Sequence, residues 1–515
     1  MSSHHHLLQL TLKKVVALFQ PGMDESALMA WLRAQVDGKT AGALLETIAS
    51  HEGPYPPTLV RALQCLACTA RPIQTEFNGT HYEWAGTALQ RLFKSSEPIS
   101  EFWPFFSGSQ KPAVIAGTAL EGLGYLTLEH LVSTMPEVLG PAGADPEHHQ
   151  QKYFFVKFLD PSDFPPFAYV GFNPDTVGRL GMDSAQFAAH LCDQFGQDRA
   201  SLEALAELVR PRVTSPEAFA ELKRAYKQWA IAQAQTDWAG ETSMHLDGFV
   251  ASRAETARAE TLLRQQQTIR RHLVSLLHRI DYADDQAILI ETPTLHAIAG
   301  LSLQVHPRIK GNFYPKDELW IYKRLTLPDG GTGWILVEPQ RTFDKTESGG
   351  DFFTPFAWHE GRLGFRKAIT PASLKEFVSL IDLTPRPRDH YLRTAAPARL
   401  PGETREGQAA WYRTVDEPAW PYFRVQELRF AGPGRTTIPL EHHTFIELHA
   451  TEGQVRVELQ RGETRDTCVV RPGHPALLPA SLPYDMISYR ADGPAQLQVF
   501  SRPKVSDTFP RTKSV

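Results

Sequence analysis

Between Ser184 and Ile280 the sequence repeats apolar residues at intervals of three and four with little interruption, in AQFAAHLCDQF, RASLEALAELV, PEAFAELKRAYKQWAIAQAQ and ARAETLLRQQQTIRRHLVSLLHRI. That spacing belongs to helices with one apolar face, and it predicts an all-helical subdomain over 181–283. The texture on either side is different. From 76 to 180 the chain is broken into short segments rich in aromatic and branched residues, among them YEWAGTALQRLF, ISEFWPFF and YFFVKFL, with one helix expected around TLEHLVSTM. After Ala283 the same strand texture returns in TLHAIAGLSLQVHP, ELWIYKRLTL, TGWILVEPQ and LGFRKAI, over 284–390. A helical unit between two strand-rich parts predicts a mainly β chain that carries a helical subdomain.

Three further segments complete the organisation. Residues 1–75 alternate helical-period stretches with breaks at Gln20-Pro21-Gly22 and Pro54 to Pro57, which predicts a helical extension. The Pro- and Arg-rich stretch within 391–419 reads as a linker. Residues 420–505 are a run of short strands with regular turns, expected to form a second small β-barrel. A chain of 515 residues and 57.7 kDa exceeds one ordinary core, so about two to four units are expected.

Composition excludes several classes. A net charge of -5 spread over this length provides no field for holding nucleic acid. No apolar run approaches the roughly 18 residues needed to cross a bilayer, and the start lacks a secretory leader pattern, so neither membrane nor export is expected. Cys65, Cys68, Cys192 and Cys468 are too few and scattered for a disulfide framework, which fits a cytoplasmic protein. Cys65 and Cys68 lie in the helical-period stretch LVRALQCLACTA with no second ligand pair nearby, so they read as small residues on a helix. His4 to His6 resemble a tag remnant and carry no site argument.

The densest chemistry lies in ETPTLHAIAGLSLQVHPRIKGNFYPKDELWIYKR, residues 291–324. Gln304 and His306 are two apart, the interval of one strand face. His296 opens the preceding strand and Glu318 leads the following one, so four nitrogen and oxygen donors from three adjacent strands can meet at one ion. Such a set suits one divalent metal, zinc first, with manganese, iron and cobalt also compatible. Burying these groups without a cation would cost several kcal/mol. Lys316, Lys323, Arg324, Arg341 and Lys345 are the cations that lie nearby, and Glu338 shares a strand with Arg341.

At these residues the sequence resembles the type I phosphomannose isomerases. The family's metal strand has the form L-S-I-Q-V-H-P followed by a glutamate in K-P-E; here LSLQVHP and KDELW stand in those places. A further family histidine occurs in P-x-G-T-x-H-A, and ETPTLHAI nominates His296; VEPQRTFDKT resembles E-V-Q-Q-N-S-D-T-T. The resemblance covers roughly residues 76–505. It implies a mainly β chain built of two or more cupin-type β-barrels with a helical subdomain, a metal held by His296, Gln304, His306 and Glu318, and aldose–ketose isomerisation of a phosphorylated hexose, of the mannose 6-phosphate to fructose 6-phosphate type. Arg341, Lys345, Glu338 and Lys316 would then serve phosphate binding and proton traffic, and Glu338 could act as base.

Two departures stand out. The family places Gln-x-His early, where this chain reads AYVGFNPDT, and here that string follows His296 instead. The family's D-T-T-Y-R arginine has no counterpart in DKTESGGD. A non-catalytic binder of sugars or sugar phosphates, and a metal-dependent cupin enzyme of other chemistry, remain as alternatives. His442, His443 and His449 in EHHTFIELHA look like ligands, yet the later strand lacks a matching histidine, so the terminal unit is expected to be a metal-free structural barrel.

Overall fold

The structure is a computed structural model and describes residues 3–50, 53–75, 79–82, 84–105, 113–116, 125–126, 128–140, 154–283, 286–290, 294–298, 302–304, 318–341, 356–364, 370–394, 398–399, 404–413 and 423–502. The N-terminal extension is four helices, Ser3–Leu18, Glu25–Arg33, Gly38–Ala49 and Pro57–Cys68. Asp24 and Asp37 start the second and third by accepting the backbone N–H of Ala27 and Thr40, and Pro57 opens the fourth where its missing N–H costs nothing. Cys65 and Cys68 are fully buried in that fourth helix, where burial pushes the Cys65 thiol up to about 12.

Three long helices, Ser184–Val209, Pro216–Gln235 and Arg253–Ser275, form the helical unit. Each has its start written in sequence: an Asp183/Gln186 capping box, Ser215 before Pro216, and Ser252 accepting from Glu255 N. Their apolar faces share one core with the sheet Ser302–Gln304, His296–Ile298, Phe167–Phe172, Leu277–Asp281, listed in spatial order.

A second, seven-stranded sheet faces that one. Its centre is the run of antiparallel neighbours Gln286–Ile290, Glu318–Thr326, Thr332–Arg341, Phe154–Leu159 and Glu101–Phe102. The third and largest sheet has twelve strands and contains the whole 424–501 region. It is not self-contained: Ile73–Thr75 pairs with Ala476–Leu478, and Ala113–Ala116 and Tyr125–Leu126 extend the sheet beyond it.

This arrangement corrects the expected architecture. Helix and strand take comparable shares of the chain, so it is a mixed α/β fold and not a mainly β one. Two or more closed cupin barrels are not what dominates it either, since the terminal strands run through an open sheet that ends on N-terminal segments. Local strand texture identifies strands but carries no information on whether the first and last of a sheet meet, which is why the sequence overstated closure. Strands Leu392–Thr394, Ala398–Arg399 and Thr404–Arg413 also lie inside the stretch read as a linker; the last pairs along Arg424–Pro439 and is part of the large sheet. Among the described residues no helix is long and apolar enough to cross a membrane.

Candidate functional site

The interior between the four-stranded and seven-stranded sheets holds the candidate site. His296 begins its strand, is wholly buried, and donates from Nδ1 to the Thr294 carbonyl at 3.0 Å. A ring that gives its Nδ1 proton to a carbonyl carries its lone pair on Nε2, the tautomer a metal ligand requires. Its register partner on the next strand is Gln304, so the Cα atoms of these two nominated donors lie in the direct cross-strand position, about 5 Å apart.

From the opposite sheet Trp320 meets His296 edge to face, with ring centroids 5.2 Å apart. Trp320 Nε1 donates to Glu338 Oε2 at 3.1 Å. Glu338 Oε1 lies 2.6 Å from Lys157 Nζ, whose residue is its register partner on the neighbouring strand. Lys157 also stands over the Trp103 ring at 5.2 Å, and Trp103 Nε1 donates to Glu101. The result is a continuous buried row, His296, Trp320, Glu338, Lys157, crossing from one sheet into the other.

Electrostatics along the row are set by two opposing effects. Burial pushes the Glu338 carboxyl well above the usual carboxylate range, and the Lys157 ammonium pulls it back; Glu101 adds a further push upward. A carboxyl balanced in this way can take and return a proton near neutral pH, which an exposed glutamate cannot.

The structure treats the nominated residues unequally. Glu318 opens its strand opposite Gln340 and two residues from Trp320, the interval of one strand face. Arg341 ends its strand opposite Phe154. His306, Lys316 and Lys345 lie outside the described residues. Lys323 is buried on the other face of the Trp320 strand, paired with Glu427 of the large sheet, and Arg324 is exposed. Lys323 is therefore committed to an ion pair between sheets and not to a phosphate. Among the described residues no three His, Cys, Asp or Glu side chains converge as a metal set, so the donors testable here are His296 and the strand positions of Gln304 and Glu318. The described residues supply one donor of the kind a metal uses, the buried His296 imidazole, next to a strand whose sequence carries an amide.

Sequence reasoning missed Lys157 and Trp320. The signal for the first was a lysine in the middle of YFFVKFL, an apolar strand with no solvent face for it.

No protein-family model matches this chain, and no curated protein matches it. Solved structures resemble it at the level of chain course. A variant of phosphomannose isomerase from Salmonella typhimurium shares 14% identity over 84% of this chain and 100% of that one, with a TM-score of 0.42. Mannose 6-phosphate isomerase from the same organism in its apo form gives 14% identity over 84% and 99%, with a TM-score of 0.40. The form bound to fructose 6-phosphate and zinc gives 13% over 84% and 100%, with a TM-score of 0.39. At this identity and score the likeness concerns the fold in outline, and the functional reading rests on this chain's own residues.

Proposed function

We propose that the chain is a metal-dependent aldose–ketose isomerase acting on a phosphorylated hexose, of the mannose 6-phosphate and fructose 6-phosphate type that its motifs imply. The observation that carries the reading is the buried Glu338, held between Trp320 and Lys157 and separated from His296 by one ring. The proposed metal ligands are His296, Gln304, His306 and Glu318. When bound, a divalent metal, zinc first, would polarise the adjacent carbonyl and hydroxyl oxygens of the sugar.

The chain's own residues supply the rest. Glu338 as carboxylate removes the proton from C2 of the aldose while the carbonyl oxygen at C1 gains one, giving an enediol. Returning the proton to C1 as the C2 hydroxyl loses its own gives the ketose, with no net change in electrons or protons. Lys157 keeps enough negative charge on Glu338 for it to act as base, and Trp320 fixes the carboxylate's second oxygen so that one lone pair is presented. Arg341, with Lys316 and Lys345, is proposed to serve the phosphate.

The test is a proton-exchange assay: metal-loaded protein is incubated with mannose 6-phosphate in deuterated water, and fructose 6-phosphate and deuterium at C1 and C2 are followed by NMR. Interconversion that is abolished in His296→Ala and in Glu338→Gln supports the reading. Folded, metal-loaded protein that turns over no aldose phosphate, or a Glu338→Gln variant as active as the parent, overturns it.

A further inference from the structure

The seam between the large sheet and the seven-stranded sheet buries a second polar cluster that the proposed chemistry does not use. Glu447 and His449 are two apart on strand Ile446–Glu452 and share a face, and Gln498 on strand Ala495–Ser501 is the register partner of His449. All three are at most 2% exposed. Their opposite strand faces, with Leu448, Ala450, Leu497 and Val499, fill the core of the large sheet, so the polar side is turned toward the other sheet.

Rings from both sheets enclose the imidazole: Phe158 at 5.0 Å, Phe500 at 5.5 Å and Phe105 at 6.1 Å between centroids. In this apolar box Glu447 Oε1, His449 Nδ1 and both amide atoms of Gln498 lack any hydrogen-bond partner, as does Thr451 Oγ1 two residues further along the same strand. Each orphaned buried polar atom costs about 1–3 kcal/mol, so this cluster gains from a ligand that satisfies it.

We infer that Glu447, His449 and Gln498 form a structural binding site for one divalent transition-metal ion of the zinc type, separate from the His296 site and on the opposite side of the seven-stranded sheet's core. Glu447 Oε2 and His449 Nε2 are hydrogen-bonded at 3.2 Å, a contact that a bound ion would replace. Two ligand atoms on a tetrahedral zinc with bonds of about 2.0–2.2 Å are separated by about 3.3 Å, so the pair already has the spacing of one ligand edge. Gln498, directly across the ladder, offers its unused amide oxygen to the ion or to the second ring nitrogen. A cavity of about 10 Å³ lined by His449, Phe158, Leu325 and Pro475 has room for one water to complete four ligands.

A metal here departs from the metal-free terminal unit expected from sequence. With Glu447, His449 and Gln498 at most 2% exposed, the ion exchanges slowly with solvent.

The test uses the full chain with His4, His5 and His6 replaced by alanine and His296→Ala added, so that neither the terminal histidines nor the proposed catalytic site binds metal. After refolding with zinc and dialysis against EDTA, elemental analysis should find about one equivalent, released on denaturation. The same background with Glu447→Gln and His449→Phe should retain none. Because two buried changes can unfold the seam, Gln498→Met is examined separately with cobalt as probe, and its visible ligand-field absorption should be shifted or weakened relative to the parent. Absence of metal from the folded His296→Ala background overturns the inference, as does zinc retained unchanged by the Glu447/His449 variant. The two sites fail separately: if the His296 reading is wrong, protein with and without His296→Ala holds the same single equivalent.

Discussion

Asp198 and Arg270, each with no exposed side-chain surface, join the first and third long helices through two parallel bonds, Nε to Oδ1 at 2.9 Å and Nη2 to Oδ2 at 3.1 Å. Removing Arg270 leaves the Asp198 carboxylate buried without its cation. Arg270→Ala should therefore cost about 3–5 kcal/mol, whereas Asp198→Leu combined with Arg270→Met should recover most of that loss, because the apolar pair has no desolvation penalty to offset. Thermal and denaturant unfolding of the three variants measures it; a double variant no better than the single one contradicts the account.

The carboxyl of Glu338 makes the proposed reaction pH-dependent in a stated direction. As base it must be ionised, so activity rises as pH climbs through its value in the folded protein. Lys157 holds that value down against burial. Lys157→Met should move the acidic limb of the rate profile toward higher pH, while Glu338→Gln should lower kcat by about 10²–10⁴ at every pH. An acidic limb unmoved by Lys157→Met would separate the two residues functionally.

Asp160 makes stability itself pH-dependent. It is fully buried, accepts the N–H of Leu89 at 2.6 Å and of Ser162 at 3.1 Å, and burial raises its carboxyl from 3.8 to about 6. A raised carboxyl value means the folded state holds the proton more tightly than the unfolded chain. Its contribution is thus complete below about pH 4 and is lost as pH rises to 6, by an amount on the order of 3 kcal/mol. Asp160→Asn should flatten the stability profile in that interval even though it lowers the plateau, and melting curves collected from pH 4 to 7 report it.

Gly171 and Gly181 separate strain from collision. Both have left-handed backbone, at φ +60° and +63°. A Cβ at 171 would lie 1.9 Å from the Tyr391 ring, while at 181 it would meet nothing within 4 Å. Gly181→Ala should cost only the conformational penalty of about 1–2 kcal/mol. Gly171→Ala should cost several kcal/mol more, and Tyr391→Ala should relieve part of it; equal costs at the two glycines would rule out the collision.

Local signals reached as far as local causes did. The capped helix starts at Asp183, Ser215 and Ser252, and the strands carrying His296, Glu318 and Glu338, follow from spacing and flanking residues within a few positions. The side-by-side placement of His296 and Gln304 follows from two short adjacent strands. What spacing could not supply is partnership at a distance. Lys157 finds Glu338 about 180 residues later, and the polar face of Glu447 and His449 is buried only because a second sheet covers it. The sequence around each shows a polar group on an apolar strand but not the partner that meets it. Openness of the large sheet was hidden for the same reason, since its far edge is built from the strands Ile73–Thr75, Ala113–Ala116 and Tyr125–Leu126.

That edge bears on how the protein is made. Ile73 pairs with Leu477, so the strand Ile73–Thr75 leaves the ribosome about 400 residues before its partner exists. At about 5–20 residues per second the interval is roughly 20–80 s. Throughout it, the edge of this strand that will face Ala476–Leu478 stands without its partner beside a helical extension that has already been synthesised. The nascent chain must keep this edge from pairing elsewhere until strand Ala476–Leu478 has been synthesised and can close onto it.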